Sequence, residues 1–484
     1  MHIFVFRALP LALLATLAVG CSSPPAGSDG GLDGGMDAGV DAGPTDAGPP
    51  WPHDLPPTTD LGDRRGRFIA RTIVHLHSPL SHDACDGAGW VDGGLAAPEC
   101  LEHLRTAACT LQMDTLMLTD HAPYVDEVPF DQGYWAAAGD EVVTAGADTV
   151  AVRWVCPDGH RVLVTVGSEN EMMPIGLRHH PSDPADPVAL LATYDADGAA
   201  AAATFRAAGG LVWYAHTEGH TLDQLRATHP DGIEIYNTHA NVDPNIRMND
   251  LGLPAVDFLP TLLRFTTTAS LESDLSFLSF YSENGNALAK FDTLLSEGWH
   301  ITGTGGCDAH ENTFTQLMPD GERGDSYRRI MRWHTNHVLV SALGDRDAVV
   351  EALGAGRSYL AFEALGTPVG FDFLATDAGG VVAEMGGDTT VGATLRLVRP
   401  SLPPGFPADP PPTMRMRILR AAAGGAVEVA QGTGDLLEHT ITDPGAYRAE
   451  ILIVPNHTRP YLGTLADRLI HEVVWVYSNA IHAL

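Results

Sequence analysis

The sequence predicts an α/β fold in which a parallel sheet closes into a barrel and an all-β module follows. Between residues 66 and 365, short apolar runs alternate with helical stretches, a pattern typical of strand–helix units around a parallel sheet. The number of these units favours closure into a barrel, although periodicity alone does not separate a barrel from an open, doubly wound sheet. After residue 366 only strand patterns with Gly and Pro turns continue, which favours a small β-sandwich.

The individual elements are predicted from short apolar runs, read as strands, and from apolar positions at helical spacing. The predicted strands of the barrel span residues 69–76, 115–119, 162–166, 211–215, 232–236, 300–304 and 337–341. The helices predicted between them span residues 101–111, 188–207, 222–228, 287–297 and 347–353. The strands predicted for the β-module span residues 371–374, 394–398, 414–419, 446–454 and 472–477.

The N-terminus is similar to the export signal of a bacterial lipoprotein. Residues 9–19 form an apolar segment too short to span a bilayer, and the residues before Cys21 resemble a lipoprotein cleavage site. We therefore expect a signal peptide over residues 1–20 and a protein of the bacterial cell envelope, attached to the membrane by a lipid on Cys21; a plain secretory signal is the alternative. Residues 21–62 are rich in Gly, Asp, Ala and Pro, which predicts a disordered tether.

The composition excludes two classes of partner or site. A net charge of −33 argues against a nucleic-acid partner, because binding to phosphate backbones requires a basic face. Lys290 is the only lysine, and no glycine-rich loop precedes it, so a Walker-type phosphate loop is excluded.

Five cysteines follow Cys21, and export permits them to form disulfides. Three lie close together in sequence, so we expect one bridge among them, with pairing that the sequence does not reveal. The odd number leaves at least one free thiol. These cysteines are Cys85, Cys100 and Cys109, followed by Cys156 and Cys307.

Histidines and acids follow several of the predicted strands, at the point where each strand ends. Active sites of parallel barrels lie at the C-terminal ends of the strands, where loops distant in sequence meet. Imidazole and carboxylate groups together suit zinc, manganese or iron. A single histidine at a strand end is usually structural, so the prediction of a metal site depends on the whole set. These residues are His75, His77, His121, Glu169, His216, Asp308 and His310.

The same residues lie in motifs that occur in a recognisable order. The motifs are His75-Leu76-His77-Ser78 with Ser81-His82-Asp83, Leu118-Thr119-Asp120-His121, Gly167-Ser168-Glu169, Trp213-Tyr214-Ala215-His216 and Cys307-Asp308-Ala309-His310. In this order they resemble the PHP superfamily, named after DNA polymerase and histidinol phosphatase. The resemblance covers residues 75–359 and implies a distorted, TIM-like barrel of seven strands and helices over residues 66–365, with residues 366–484 as the separate β-module.

The resemblance also implies two or three divalent metal ions, Zn, Mn or Fe, at three positions. The first position would be held by His75, His77, Glu169 and Asp308. The second would share Glu169 and add His216 and His180, with His179 as the alternative to His180. The third would be held by His121, His310 and His82, with Asp83 as the alternative to His82.

The function implied by the resemblance is hydrolysis of a small phosphorylated substrate by a metal-dependent phosphoesterase. Glu169, Asp308 and His216 are the expected catalytic residues, and Asp120, Glu234 and Asn237 are candidates for orienting the ligands. Two alternatives remain: a metallohydrolase acting on an amide, lactone or other ester, and a non-enzymatic, tethered binding protein. A phosphate substrate usually contacts an arginine, and the candidates are Arg178, Arg323, Arg328, Arg329 and Arg332.

Overall fold

The computed structural model describes residues 49–484, so the predicted signal peptide and Cys21 lie outside the described residues. The end of the predicted tether, from Pro49 onward, is ordered on the fold. The Trp51 side chain is buried, and its ring lies 5.3 Å from that of Phe406 and 4.9 Å from that of Tyr461. Burial of this large aromatic ring explains why the chain is ordered well before residue 62. Within residues 49–484 no helix is long and apolar enough to cross a membrane.

The chain up to residue 361 contains both strands and helices, but they do not alternate regularly as the sequence predicts, because residues 115–175 hold five strands without an α-helix between them. Its strands are β1 (Phe68–Ile73), β2 (Trp90–Val91), β3 (Gly94–Leu95), β4 (Thr115–Leu118), β5 (Glu141–Ala145), β6 (Asp148–Val155), β7 (Arg161–Val166), β8 (Met173–Ile175), β9 (Leu211–Tyr214), β10 (Gly232–Asn237), β11 (Thr302–Gly306), β12 (Thr335–Val340) and β13 (Ser358–Ala361). Its α-helices are α1 (Pro98–Thr110), α2 (Pro187–Tyr194), α3 (Ala199–Ala207), α4 (Leu222–Thr228), α5 (Pro244–Asn249), α6 (Leu259–Thr267), α7 (Gly285–Ser296), α8 (Tyr327–Trp333) and α9 (Arg346–Gly354).

The remainder of the chain is mostly strands. They are β14 (Asp372–Asp377), β15 (Gly380–Glu384), β16 (Asp388–Thr389), β17 (Thr394–Val398), β18 (Thr413–Ala422), β19 (Gly425–Gly432), β20 (Leu436–Thr440), β21 (Gly445–Val454), β22 (Val473–Ser478) and β23 (Ile481–Ala483). Two short helices, α10 (Arg459–Leu462) and α11 (Ala466–Leu469), separate β21 from β22.

Helix α7 illustrates how the apolar pattern produces an element and fixes its orientation. Leu288, Phe291 and Leu295 recur at helical spacing and are buried, so this face packs against the core. Lys290 lies on the opposite side, where its ammonium group donates hydrogen bonds of 2.8 Å to the carbonyls of Thr217 and Glu218. The helix thereby supports the turn that follows β9.

The predicted closed barrel is wrong, because the parallel strands lie in two separate sheets. In one sheet β1 pairs in parallel with β4, and β4 with β7, but β12 and β6 flank this group in antiparallel orientation. In the other sheet β9, β10 and β11 are parallel, and β8 is antiparallel to β9. Between the two sheets there are isolated bridges, such as Leu76 with Ala309 and Val166 with Leu177. The apolar pattern identifies seven of these strands, although not β2, β3, β5, β6, β8 or β13, and it does not reveal the partner with which a strand pairs.

The predicted separate β-sandwich is also wrong. Strands β14, β15, β17 and β20 form a four-stranded antiparallel sheet. The other strands do not form a separate module with it, since β22 pairs with β13 and thereby joins β18, β19, β21 and β23 to the sheet that contains β1. Pairing between Tyr359 and Ser478 crosses the predicted boundary at residue 366, and all described residues belong to one compact unit.

Two disulfides join elements near the start of the fold. Cys85 is bonded to Cys100, which confirms a bridge among the three neighbouring cysteines, and Cys109 is bonded to Cys156. The first ties the loop after β1 to helix α1, and the second ties the end of α1 to the β6–β7 turn. Cys307 is a free, buried thiol.

Candidate metal centre

The C-terminal ends of six parallel strands meet at one place in the molecule. Strands β1, β4 and β7 arrive from one sheet, and β9, β10 and β11 arrive from the other. In each case a histidine or an acid follows within a few residues of the strand end. These residues are His75 and His77 after β1, His121 after β4, Glu169 after β7, His216 after β9, His239 after β10, and Asp308 and His310 after β11.

One group of possible metal ligands consists of His75, Glu169, His216 and Asp308, whose ligand atoms all lie within 4.8 Å of one another. The Nε2 atom of His75 is 2.9 Å from Glu169 Oε2 and 3.3 Å from Asp308 Oδ1. The Nε2 atom of His216 lies 3.1 Å from Glu169 Oε1 and 3.4 Å from Asp308 Oδ2. Each carboxylate therefore presents one oxygen to each histidine.

A second group consists of His77, Asp83, His121 and His310. The Oδ2 atom of Asp83 lies 3.2 Å from His310 Nε2 and 3.7 Å from His121 Nε2. The rings of His77 and His310 are stacked with centroids 4.0 Å apart. Asp83 is held in place by the Ser81 hydroxyl, which donates a hydrogen bond of 2.8 Å to its other oxygen.

Glu169 connects the two groups into one centre. Its Oε2 atom lies 3.1 Å from His77 Nε2 and 3.6 Å from His121 Nε2, so the same oxygen faces ligands of both groups. The Nε2 atoms of His75 and His77 are themselves only 3.1 Å apart. The structure therefore contains a continuous cluster of His, Asp and Glu side chains that could hold metal ions.

Hydrogen bonds on the outer side fix the orientation of the imidazoles. His75 Nδ1 donates to Glu234 at 2.7 Å, His121 Nδ1 to the Glu169 carbonyl at 2.5 Å, and His310 Nδ1 to the Asp308 carbonyl at 2.8 Å. A neutral imidazole that donates through Nδ1 presents the lone pair of Nε2, and this arrangement is typical of metal-bound histidines. All three Nε2 atoms point toward the acids of the centre.

Glu234 supports both sheets from beneath the centre. Its carboxylate accepts hydrogen bonds from His75 Nδ1 and, at 2.9 Å, from the backbone amide of His216. Asn237 donates a further bond of 2.7 Å to it. Gly306 leaves the necessary space, because a Cβ atom there would lie 1.9 Å from Glu234 Oε1. Glu234 and Asn237 therefore help to orient His75 and His216, which is the role that the sequence suggests for them.

Asp120 organises the loop that carries the first motif. Its carboxylate accepts hydrogen bonds from the backbone amide of Ser78 at 2.5 Å and from the Ser78 hydroxyl at 2.7 Å. The indole of Trp135 donates to the same hydroxyl at 2.7 Å. Burial raises the pKa of Asp120 despite these bonds. Asp120 thus fixes the backbone directly after His77.

The electrostatics of the centre favour a positive charge at its middle. Burial disfavours the charged forms of His75 and His216, yet the neighbouring carboxylates outweigh it and raise the pKa of both well above the ordinary value. Burial acts in the same way on His77, but the hydrogen bonds that it donates to Asp308 and Glu169 raise its pKa to about 9. For Glu169 the histidines outweigh burial and hold the pKa well below its usual range. Protons or metal ions are therefore needed between these ligands.

The backbone is strained at two of the ligands. His216 has φ of 46° and Asp308 has φ of 54°, in the left-handed region that residues with a side chain rarely adopt. Such conformations cost about 1–3 kcal/mol each and cluster at functional sites. At both positions the strained residue comes two places after its strand, which turns the side chain into the centre.

The spacing of the ligand atoms fits metal coordination. A tetrahedral zinc ion with bonds of about 2.1 Å separates neighbouring ligand atoms by about 3.4 Å. The imidazole nitrogens and carboxylate oxygens of the first group that face each other are separated by similar distances, from 2.9 Å to 3.4 Å. Moreover, His310 Nε2 is buried without a hydrogen-bond partner although it points toward Asp83. Acceptor atoms that face one another in a buried site are stabilised when a cation lies between them.

Two predicted ligands lie outside both groups. His180 is buried elsewhere, with Nδ1 2.9 Å from the Tyr194 hydroxyl and Nε2 2.9 Å from the Val128 carbonyl, so neither ring nitrogen is free for a metal ion. His179, the alternative to His180, is exposed. His82 is also exposed and only flanks His121, with ring centroids 5.2 Å apart, whereas Asp83 joins the second group.

His239 is a residue at the centre that the sequence reasoning did not identify. Its Nδ1 atom lies 3.3 Å from Asp308 Oδ2, and its ring centroid lies 5.3 Å from that of His216. The signal was available, because His239 comes three residues after the end of the strand predicted over residues 232–236, as Glu169 does after the strand predicted over residues 162–166.

The arginines considered for phosphate binding are all paired with acids. Arg178 pairs with Asp347, and Arg323 pairs with Asp86 and Asp325. The other three, Arg328, Arg329 and Arg332, surround Asp274. None of the five forms an ion pair with an acid of the centre.

In comparisons with known proteins, no family model matches the chain, and no curated protein matches it. The centre is therefore interpreted from its own chemistry.

Proposed function

We propose that this protein is a metal-dependent phosphoesterase that uses two or three divalent metal ions, of zinc, manganese or iron. One observation carries the proposal: the ends of six strands bring histidine nitrogens and carboxylate oxygens together at ligand distances, with orienting hydrogen bonds on their outer sides. Nitrogen and oxygen ligands in this combination suit those metals.

The carboxylates of Glu169 and Asp308 lie between the histidines of the first group. Glu169 and Asp308 each direct one oxygen toward His75 and the other toward His216, which is the arrangement expected of residues shared between two cations. Bound divalent cations would lower the pKa of water and offset the charge of phosphoryl oxygens. The protein contributes by fixing the ligands on strand ends, so that little reorganisation is needed during the reaction.

The partly exposed ligands indicate where a substrate would approach. The side chains of His75 and His77 are fully buried, whereas those of Asp83, His121 and His216 are 34%, 22% and 29% exposed. A small substrate can therefore reach the centre from the side of these three residues. The choice of a phosphoester depends on the resemblance of the ordered motifs to the PHP superfamily.

A second candidate, a metallohydrolase acting on a carboxyl ester, lactone or amide, is favoured by one observation. Each of the five candidate arginines is paired with an acid outside the centre. The charge of a phosphate group would therefore have to be balanced by metal ions and histidines alone. A less charged substrate needs no such arginine.

The test is a substrate panel with the metal-loaded protein and the Asp308→Ala variant. We expect release of p-nitrophenol from p-nitrophenyl phosphate or bis(p-nitrophenyl) phosphate, and a loss of about 10³-fold or more in Asp308→Ala, because a ligand to two cations is removed. Asp435→Ala, at an exposed position outside the centre, is the matched control and should keep full activity.

The panel also separates the alternatives. Hydrolysis of p-nitrophenyl acetate or of a lactone, without activity on either phosphate ester, would replace the proposal by the second candidate. Full metal loading without turnover of any of these substrates would show that the protein is not a hydrolase of this kind.

A further inference from the structure

We propose that Glu218 is a positioning residue for His216 and that Lys290 holds Glu218 in place. This inference rests on the proposed metal centre and leaves its ligands as described. It concerns the outer side of the His216 ring, away from the acids of the centre. It also gives a role to the only lysine of the chain, which lies on helix α7 and reaches the turn after β9.

The outer nitrogen of His216 differs from those of the other histidines in the two groups. Nδ1 of His75 donates to Glu234, and Nδ1 of two further histidines donates to backbone carbonyls. Nδ1 of His77 lies 3.2 Å from the Ser81 hydroxyl. His216 Nδ1 is buried, and within the described residues it has no hydrogen-bond partner. A buried N–H group is costly without an acceptor, so this nitrogen requires one nearby.

The acceptor that faces this nitrogen is the carboxylate of Glu218. Its Oε1 atom lies 3.5 Å from His216 Nδ1 and is likewise buried without a hydrogen-bond partner. The side chain of Glu218 is only 2% exposed, and among the described residues His216 is the one basic side chain that forms an ion pair with it. A buried carboxylate is stabilised by an N–H donor, and a charged acceptor makes the stronger hydrogen bond. The two groups therefore satisfy each other.

Glu218 lies on the opposite side of the imidazole from the acids of the centre. His216 Nε2 is 3.1 Å from Glu169 Oε1 and 3.4 Å from Asp308 Oδ2. Nδ1, on the other side of the ring, faces Glu218. A carboxylate that accepts the proton of Nδ1 leaves the lone pair of Nε2 for a cation and fixes the orientation of the ring. Glu218 is therefore a partner of a ligand and is not itself a ligand.

The turn that carries Glu218 is held from helix α7. It spans Thr217–Gly219, and the Gly219 amide donates a hydrogen bond of 2.9 Å to the carbonyl of His216. Lys290 Nζ donates hydrogen bonds of 2.8 Å to the carbonyls of both Thr217 and Glu218. Two consecutive peptide groups are thus fixed by one ammonium group. Such support is needed, because the strained backbone of His216, with φ of 46°, persists only where its surroundings hold it.

The experiment measures metal affinity instead of activity. Metal-depleted wild type, Glu218→Leu, Glu218→Gln and Lys290→Met are titrated with Co²⁺, and elemental analysis after dialysis gives the number of bound ions. We expect Glu218→Leu to bind Co²⁺ about 10–100-fold less tightly with an unchanged number of ions. Glu218→Gln keeps an acceptor oxygen and should lose less, and Lys290→Met should also bind less tightly. Glu438→Leu, at an exposed position on β20, should match the wild type.

Two further measurements separate positioning from packing. In nitrogen-15 spectra of the Zn²⁺-loaded protein, the Nδ1 resonance of His216 should shift in Glu218→Leu, whereas those of the other histidine ligands should not. In the double variant of Glu218→Leu and Lys290→Met, the loss of affinity should be smaller than the product of the two single losses, because both residues act through the same carboxylate.

Wild-type affinity in folded Glu218→Leu would overturn the assignment of Glu218, and loss of a whole equivalent of metal would show that Glu218 is a ligand. Wild-type affinity in Lys290→Met, or fully multiplicative losses in the double variant, would overturn the role of Lys290. Circular dichroism checks folding, and Glu218→Gln, which keeps the shape of the side chain, decides the matter if Glu218→Leu does not fold. The proposed function fails separately, since a wild type that binds metal but hydrolyses no ester would refute the enzyme and leave this assignment intact.

Discussion

The candidate metal centre and the cluster around Asp274 are both buried and both rich in charged side chains, but their carboxylates have opposite kinds of partner. Asp274 Oδ1 accepts hydrogen bonds from Arg328 at 2.7 Å and from Arg329 at 2.6 Å, and Arg332 lies 3.4 Å from Oδ2. We call these four residues the arginine cluster. Its acid already has permanent cations as partners, so it needs no metal ion, although His53 and Glu272 also lie within ligand distance.

In the metal centre the partners of the acids are imidazoles, which are positive only when protonated. His75 and His77 face each other through Nε2 atoms 3.1 Å apart, an arrangement that is unfavourable unless a proton or a metal ion lies nearby. The comparison shows that a group of acids and histidines indicates a metal site when its inward-facing atoms are acceptors. It does not do so when arginines already donate to the same oxygens.

The largest effect that would test this contrast is expected from Asp274→Ala. Removal of this carboxylate leaves three buried or nearly buried guanidinium groups without their shared partner, which should cost about 3–5 kcal/mol of folding free energy. Urea denaturation measures the loss, and elemental analysis should find the metal content of the folded variant unchanged. If the variant lost metal but kept its stability, the cluster around Asp274 would be a metal site and would not be a structural cluster.

The next effect is a pH dependence of the free energy of unfolding, to which the candidate metal centre should contribute most. The pKa of His77 in the folded protein, about 9, lies above the ordinary 6.5, so its stabilisation is complete below pH 6.5 and is lost as the pH rises toward 9. Metal-free protein should therefore lose a few kcal/mol of unfolding free energy between these pH values. The three arginines of the arginine cluster contribute nothing to this change, because arginine stays charged over the whole range. His53, whose pKa is raised by its hydrogen bond to Asp274, is 48% exposed and contributes only a small part of it.

Urea denaturation of chelator-treated protein at pH 6.5 and at pH 9 measures this effect, with metal-loaded protein as the control. The loaded protein should change little, because bound cations then stabilise the ligands in place of protons. Equal stability of the metal-free protein at both pH values would contradict the proposed balance of charges.

The smallest effect is expected from Glu234→Gln, which keeps the shape of a supporting residue and removes its charge. Glu234 accepts from His75 Nδ1, and loss of such an outer partner typically weakens metal binding by about 10–100-fold. Competition with a chromophoric chelator measures the affinity. Glu438→Gln, an exposed glutamate on β20, is the control for charge removal and should bind as the wild type does. Unchanged affinity in Glu234→Gln would show that His75 needs no such partner.

The sequence by itself located most of the individual strands and the ligands at their ends. Strands β4, β7, β9 and β10 begin and end within a residue of the prediction, because β-branched and aliphatic runs between turn residues are a local signal. The predicted helix over residues 188–207 is instead two helices, α2 and α3, separated by a turn at Asp195–Gly198. Glycine at residue 198, with φ of 87°, adopts a conformation that a continuous helix does not contain.

Only the tertiary structure decided which strands pair and which histidines meet. Two sheets form in place of a closed barrel, and the late strands extend one of them, because pairing depends on contacts between residues far apart in the chain. For the same reason His180 and His239 could not be distinguished by residue type: one is enclosed by Tyr194 and Val128, and the other is carried by a strand end to Asp308. Local patterns determine the elements and the available ligands, whereas packing between distant segments determines which ligands surround one point in space.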